Sequence, residues 1–275
     1  MKKTIISITL SSLLGLTSSV FAGTVVSGHL NIDATIGTTK STAFSANSKS
    51  KIAIASINHN SHLSQNTTLK TNIGVATSEA SGYGSKANVH AASISNSNVE
   101  GTVNISATAY SIISKATGFN SESSANVGVL NKARGWGSRT IDIKAGKIFS
   151  EASGKESISR INVGSILDAQ ANSTKMNINV NNMTSVAAGP NSKAIVNLST
   201  VTGGSIIKNL DTTVKMGSIY NGAYGINSQS TVNVASITNG SRIYGNTKIN
   251  VNSGTISSYS FGSNSTSSVA VASVE

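Results

Sequence analysis

The sequence predicts an all-β chain wound as a β-solenoid, and three observations carry that prediction. A short phrase recurs through the second half, as INVGSI (161–166), INVNNM (178–183), VNLSTV (196–201), VKMGSI (214–219), VNVASI (232–237), INVNSGTI (249–256) and VAVASV (269–274). Its starts lie 17, 18, 18, 18, 17 and 20 residues apart. A short, nearly fixed period with an apolar-x-apolar centre is the signature of stacked β-coils. Each phrase alternates β-branched or other apolar residues with polar ones, the period-2 pattern of a half-buried strand. Proline occurs once, at Pro190, so little interrupts strand pairing.

The first element is an export leader at 1–22. Lys2 and Lys3 precede an apolar stretch, and small residues before Gly23 fit a signal-peptidase site. The apolar run is too short for a membrane span. The chain contains no cysteine, so stability outside the cytoplasm must come from packing and backbone pairing rather than from disulfides. Ser (50), Asn (30) and Gly (25) dominate, and only 11% of residues are charged. Typical globular domains carry about 25%. The regular Val and Ile pairs argue against a disordered linker of the same polarity.

Residues 23–160 repeat less cleanly. LNIDATI (30–36), IAIASI (52–57), ANVHAASI (87–94), VNISATA (103–109), NVGVL (126–130) and IDIKAGKI (141–148) resemble the later phrase at irregular spacing. These read as earlier coils with inserted loops, such as 117–124. The least repetitive stretch, NKARGWGSR at 131–139, holds the only tryptophan and reads as a partner-contacting loop presenting Arg134, Trp136 and Arg139.

Residues 161–275 form the regular part. In the unit 231–248, TVNVASI gives one strand, Thr238-Asn239-Gly240-Ser241 a turn, RIY a second strand and Gly245-Asn246-Thr247 the return. Coils of about 17–20 residues with two short strands are expected on this reading. Alternation assigns Ile161, Val163, Ile178, Val180, Val196, Leu198, Val214, Met216, Val232, Val234, Ile249 and Val251 to the core. The polar residue between the paired apolar ones is Asn162, Asn179, Asn197, Asn233 or Asn250, with Lys215 breaking the series. Stacked in register, these asparagines form an outward, self-associating amide ladder of the kind that stabilises cross-β stacks.

The formal charge of +11 includes Lys2 and Lys3, and the remaining basic residues are dispersed. Dispersed charge suits weak attraction to anionic cell-surface or matrix polymers. Sequence-specific nucleic-acid binding wants clustered cations and stacking aromatics, and aromatics are 4% here. No catalytic or metal-binding set is found. His59 and His62 sit three apart without further ligands, and Asp142, Glu151, Glu156 and Asp168 show no paired strand spacing. The chain is therefore expected not to be an enzyme and to need no cofactor. Nor do the five-to-seven-residue phrases match the longer, aromatic-girdled strands of an outer-membrane barrel.

Low charge, one proline, Asn-rich strands and a leader resemble the curlin class of bacterial functional amyloids, best over residues 161–256. The resemblance implies two-stranded coils with Asn and Gln ladders, although this chain has only Gln65, Gln170 and Gln229. It implies a secreted, self-associating fibre or biofilm-matrix subunit on the surface of a bacterium, with itself as partner. The alternative is a monomeric solenoid adhesin meeting glycans or cell surfaces through its polar ladder.

Overall fold

A computed structural model describes residues 6–11, 25–57 and 61–274. Among these the chain has no helix, and its strands form three parallel sheets of nine, seven and six strands, wound as about seven coils. The expected β-solenoid is the fold. Of the expected leader, Ile6–Ser11 is described as a strand in parallel register with residues 30–35. The rest of 1–22, and His59, lie outside the described residues.

The seven coils are set by the long strands of the first sheet: Leu30–Phe44, Thr67–Ser81, Val103–Thr117, Arg139–Ser153, Gln170–Ala188, Ile206–Tyr224 and Thr247–Phe261. Leu30 lies beside Thr67, Thr67 beside Val103, Val103 beside Arg139, Arg139 beside Thr174, Thr174 beside Leu210, and Leu210 beside Thr247. One coil is therefore 35–37 residues, twice the interval between phrases, and it has three sides rather than two.

The fourth coil shows the path. The long strand Arg139–Ser153 ends at a corner, 154–157, and a six-residue strand, Ile158–Val163, follows in the second sheet. A left-handed residue, Gly164, turns the chain into the short strand Ile166–Leu167 of the third sheet. The next long strand then begins. At the first corner each coil from the second on has a glycine in a conformation closed to side chains, such as Gly118 with φ 126°. A Cβ there would lie 2.1 Å from the Gly82 carbonyl oxygen of the coil below, so the corner fixes both conformation and coil spacing.

Both phrases of a coil have the same apolar-x-apolar-x-x-apolar form because each precedes a break in the alternation. On the long strand the break is a bulge. Ile141, Ile143 and Ala145 point inward, Gly146 and Lys147 do not, and Ile148, Ser150 and Ala152 resume. One extra residue shifts the parity and bends the strand. On the second sheet the break is the left-handed corner: Ile161 and Val163 point inward, Gly164 turns, and Ile166 re-enters the core. Successive phrases thus fall on alternate sheets, INVNNM on the first and VNLSTV on the second.

Regularity extends through the first half. The stretch 117–124 spans the corner between Val103–Thr117 and the strand Glu122–Val127 rather than an inserted loop. Residues 131–139 likewise hold the end of the third-sheet strand Leu130–Arg134, a turn and the start of the next long strand. The core is one aliphatic column along the axis, from Val26 to Ile237, with a thinner Ala- and Ser-lined space near the first corner.

Candidate assembly interface

The twelve residues assigned inward all join the core. Ten are buried, whereas Ile249 and Val251, in the seventh coil, are partly buried and pack against it. That gradient marks the seventh coil as covered on one face. Val232 is 0% exposed, and its row neighbour Val269, in the outermost strand Thr266–Val271, is 49% exposed. Among the described residues nothing pairs with the outer edges of Thr247–Phe261 and Thr266–Val271.

The five predicted ladder asparagines divide between sheets. Asn162, Asn197 and Asn233 lie in one outward row of the second sheet, which also includes Asn126. Each side-chain amide donates to the one below: Asn162 Nδ2 to Asn126 Oδ1 (2.7 Å), Asn197 to Asn162 (2.9 Å) and Asn233 to Asn197 (3.0 Å). Asn126 belongs to the phrase NVGVL, so a search at 36-residue spacing would have found it. Asn179 and Asn250 are on the first sheet in two different rows, Asn179 between Lys144 and Lys215, Asn250 beside Thr213. They are not part of the ladder because the phrase interval is half a coil.

Below Asn126 the ladder row continues to His90. Burial, and then the Lys51 charge, lowers the His90 pKa from 6.5 to about 4, so the imidazole is neutral at the foot of the ladder. Beside it Glu122 receives Lys86 (3.0 Å) and Arg160 (2.5 Å). His90, Glu122, Asn126, Arg160, Asn162 and Asn197 are among the residues lining a groove of about 340 Å³.

Arg134 and Trp136 are exposed near the third corner. Arg139 is not with them. Its side chain is 1% exposed and turns inward, donating to the carbonyls of Gly101, Val99 and Gly135 at 2.6–2.8 Å. The guanidinium thus ties corner carbonyls of two coils, and burial lowers its pKa from 12.5 to about 10, still charged at neutral pH. The reason is row position: Arg139 stacks on Val103 in the inward column.

Four aromatic rings gather at the outer end of the first sheet. Tyr224 and Phe261 stack at 5.3 Å and 7°, Tyr220 lies 5.7 Å from Tyr259, and Tyr259 lies 6.1 Å from Phe261. The Tyr220 and Tyr224 hydroxyls are hydrogen-bonded to each other. That bond first, then burial, pushes Tyr224 up to about 12.

The four carboxylates singled out from sequence have separate places. Asp142 and Glu151 are on one long strand, Glu156 is in a corner beside Lys155, and Asp168 occupies a left-handed turn. Glu151 lies 3.8 Å from Lys115. His62 faces Asn98 (3.1 Å) and Glu100 (3.9 Å). Among the described residues no three His, Cys, Asp or Glu side chains gather as a metal site. Comparison with protein-family models, with characterised proteins and with solved structures gave no match.

Proposed function

We infer that this chain is a secreted bacterial structural protein that associates with copies of itself, as a fibre or biofilm-matrix subunit. The observation that carries the reading is the uncovered seventh coil. Its apolar rows, buried in every interior coil, stand open beside a parallel strand edge among the described residues. Such an edge is a template for further pairing. The amide ladder supports the reading, because in-register amide rows stabilise cross-β stacks. In this reading the chain performs no catalysis.

The test is incubation of the chain lacking the expected leader, residues 1–22, at micromolar concentration, followed by sedimentation, thioflavin fluorescence and fibre diffraction. Assembly should give a reflection at about 4.7–4.8 Å along the fibre axis. A chain that stays monomeric for days at neutral pH defeats the reading. The second reading, a monomeric adhesin for glycans, draws on the polar groove beside the ladder. It predicts saturable glycan binding that is lost when Arg160 and Asn162 are replaced together.

A further inference from the structure

We propose that a trough on the outer face of the first sheet binds an acidic polysaccharide, with one sugar ring lying on Tyr110. The bulges of successive long strands stack from coil to coil, and along them runs a trough of about 560 Å³ that crosses the first five coils. It lies on a different sheet from the amide ladder and shares no lining residue with the groove there. In the bulge row only Tyr110 and Asn181 carry side chains, and every other coil has glycine. The glycines have a backbone cause. A Cβ on Gly74 would lie 2.1 Å from the Gly37 carbonyl oxygen, and one on Gly146 2.6 Å from that of Tyr110.

Tyr110 stands between Gly74 and Gly146 and is 76% exposed. Its ring buries little against the fold, so packing does not account for a tyrosine in this row. Bare backbone on both sides leaves room for a flat ring to lie against it. The flanking rows set the charge of the ligand. One runs from Thr35 through Lys144 to Asn252, the other from Thr38 through Lys147 to Thr255. Their charged members are Lys144, Lys147 and Lys215, and the other positions hold Thr, Asn, Ser and Val. Among the described residues none of these lysines is paired with a carboxylate. Asp33 and Asp142 lie one outward row further from the trough. Ammonium groups suit sugar carboxylates, and the amides and hydroxyls suit sugar hydroxyls. Rows repeat about every 4.8 Å, close to the advance per sugar of an extended β-linked chain, so like groups meet each ring. A single-stranded nucleic acid fits less well, because it calls for several stacking aromatics and a groove of closely spaced cations. The trough runs along the side of the solenoid, so its occupancy goes beyond self-association and does not depend on it.

The test is titration calorimetry with a β-linked mannuronate hexamer. The chain lacking residues 1–22 is used, at a concentration where sedimentation shows monomer. Neutral cello-hexaose and an oligodeoxythymidylate are titrated alongside. The expected result is saturable binding of the mannuronate hexamer, tightest of the three and weakened by salt. Tyr110→Gly gives this position the residue common in its row and should weaken binding about tenfold. Lys144→Gln should weaken it about fivefold, with melting unchanged in both variants. Equal or tighter binding of cello-hexaose or thymidylate overturns the ligand class. Unchanged binding in Tyr110→Gly overturns the site, as does loss of binding in the folded ladder-face variant Arg160→Gln/Asn162→Ala. No binding of the mannuronate hexamer overturns the proposal and leaves self-association standing.

Discussion

The Oγ atoms of Ser123 and Ser150 lie 2.8 Å apart in the interior, joining the second sheet to the first. The contact belongs to a column. Ser123 also donates to the Ser114 carbonyl, Ser159 reaches both the Oγ and the carbonyl of Ser150, and Ser159 Oγ lies 2.8 Å from Ser185 Oγ. Further along, Asn221 takes the place of a serine and bonds Ser230, which in turn meets Ser258. Two sheets can approach this closely only with side chains of this size, and the buried hydroxyls are satisfied by one another and by carbonyls.

Ser150 is therefore a sensitive position. Ser150→Ala keeps the volume and removes one hydroxyl, leaving Ser123 and Ser159 their carbonyl partners, so the expected loss is about 1 kcal/mol. Ser150→Leu forces the sheets apart and strips partners from both neighbours, for about 3–5 kcal/mol. Denaturant unfolding of the two variants checks the ordering. Equal losses would show that hydroxyl bonding, rather than sheet spacing, dominates the site.

Asn197 and Asn179 look equivalent in sequence and differ in structure. Asn197 gives one amide bond to Asn162 and receives one from Asn233. Asn197→Ala is expected to cost about 1–2 kcal/mol, and Asn179→Ala, outside the ladder on the first sheet, less than about 0.5 kcal/mol. Comparison of the two melting curves decides whether the ladder stabilises the stack.

The inward and outward assignment was legible because a strand has only two faces: Val196, Leu198, Val232 and Val234 alternate with Asn197 and Asn233. The coil length was not, because the bulge at Gly217 and the corner at Ala235 demand the same local pattern. VKMGSI and VNVASI read alike while lying on different sheets. The distinguishing signal was the corner, which comes once per coil as GFNS at 118–121, GPNS at 189–192, GINS at 225–228 and GSNS at 262–265. Ser-x-Ser pairs follow it at 121 and 123, 228 and 230, and 265 and 267, which also encode the serine column. Arg139 was misplaced for a related reason: composition marks arginine as a surface residue, and only its row beside Val103 reveals the inward turn.

Val234 is fully buried between Leu198 and Val271. Val234→Asp places an unpaired charge in a thin core and is expected to unfold the sixth and seventh coils. Because each coil contacts only its neighbours, the inner coils should survive. Hydrogen exchange should then show lost protection after about residue 200, with strands such as Val103–Thr117 still protected. Asn233→Asp, one residue away on the outward face, should leave that pattern intact. Retained protection in Val234→Asp would reverse the facing of the strand.

His90 couples the ladder to pH. Its folded pKa of about 4 lies below the ordinary 6.5, so between those values the unfolded chain binds a proton that the folded chain refuses. Stability from this residue is complete above about pH 6.5 and is lost as pH falls towards 4. The carboxylates titrate at the lower end of the same window, so the residue must be isolated by substitution. His90→Asn places a neutral amide in the row beneath Asn126 and removes the titrating group. The expected outcome is a melting temperature that falls less between pH 6.5 and 5 in His90→Asn than in the parent, with the curves parallel above pH 7. Parallel curves throughout would mean that His90 accepts its proton without loss in the fold, and that burial beside Lys51 does not govern its titration.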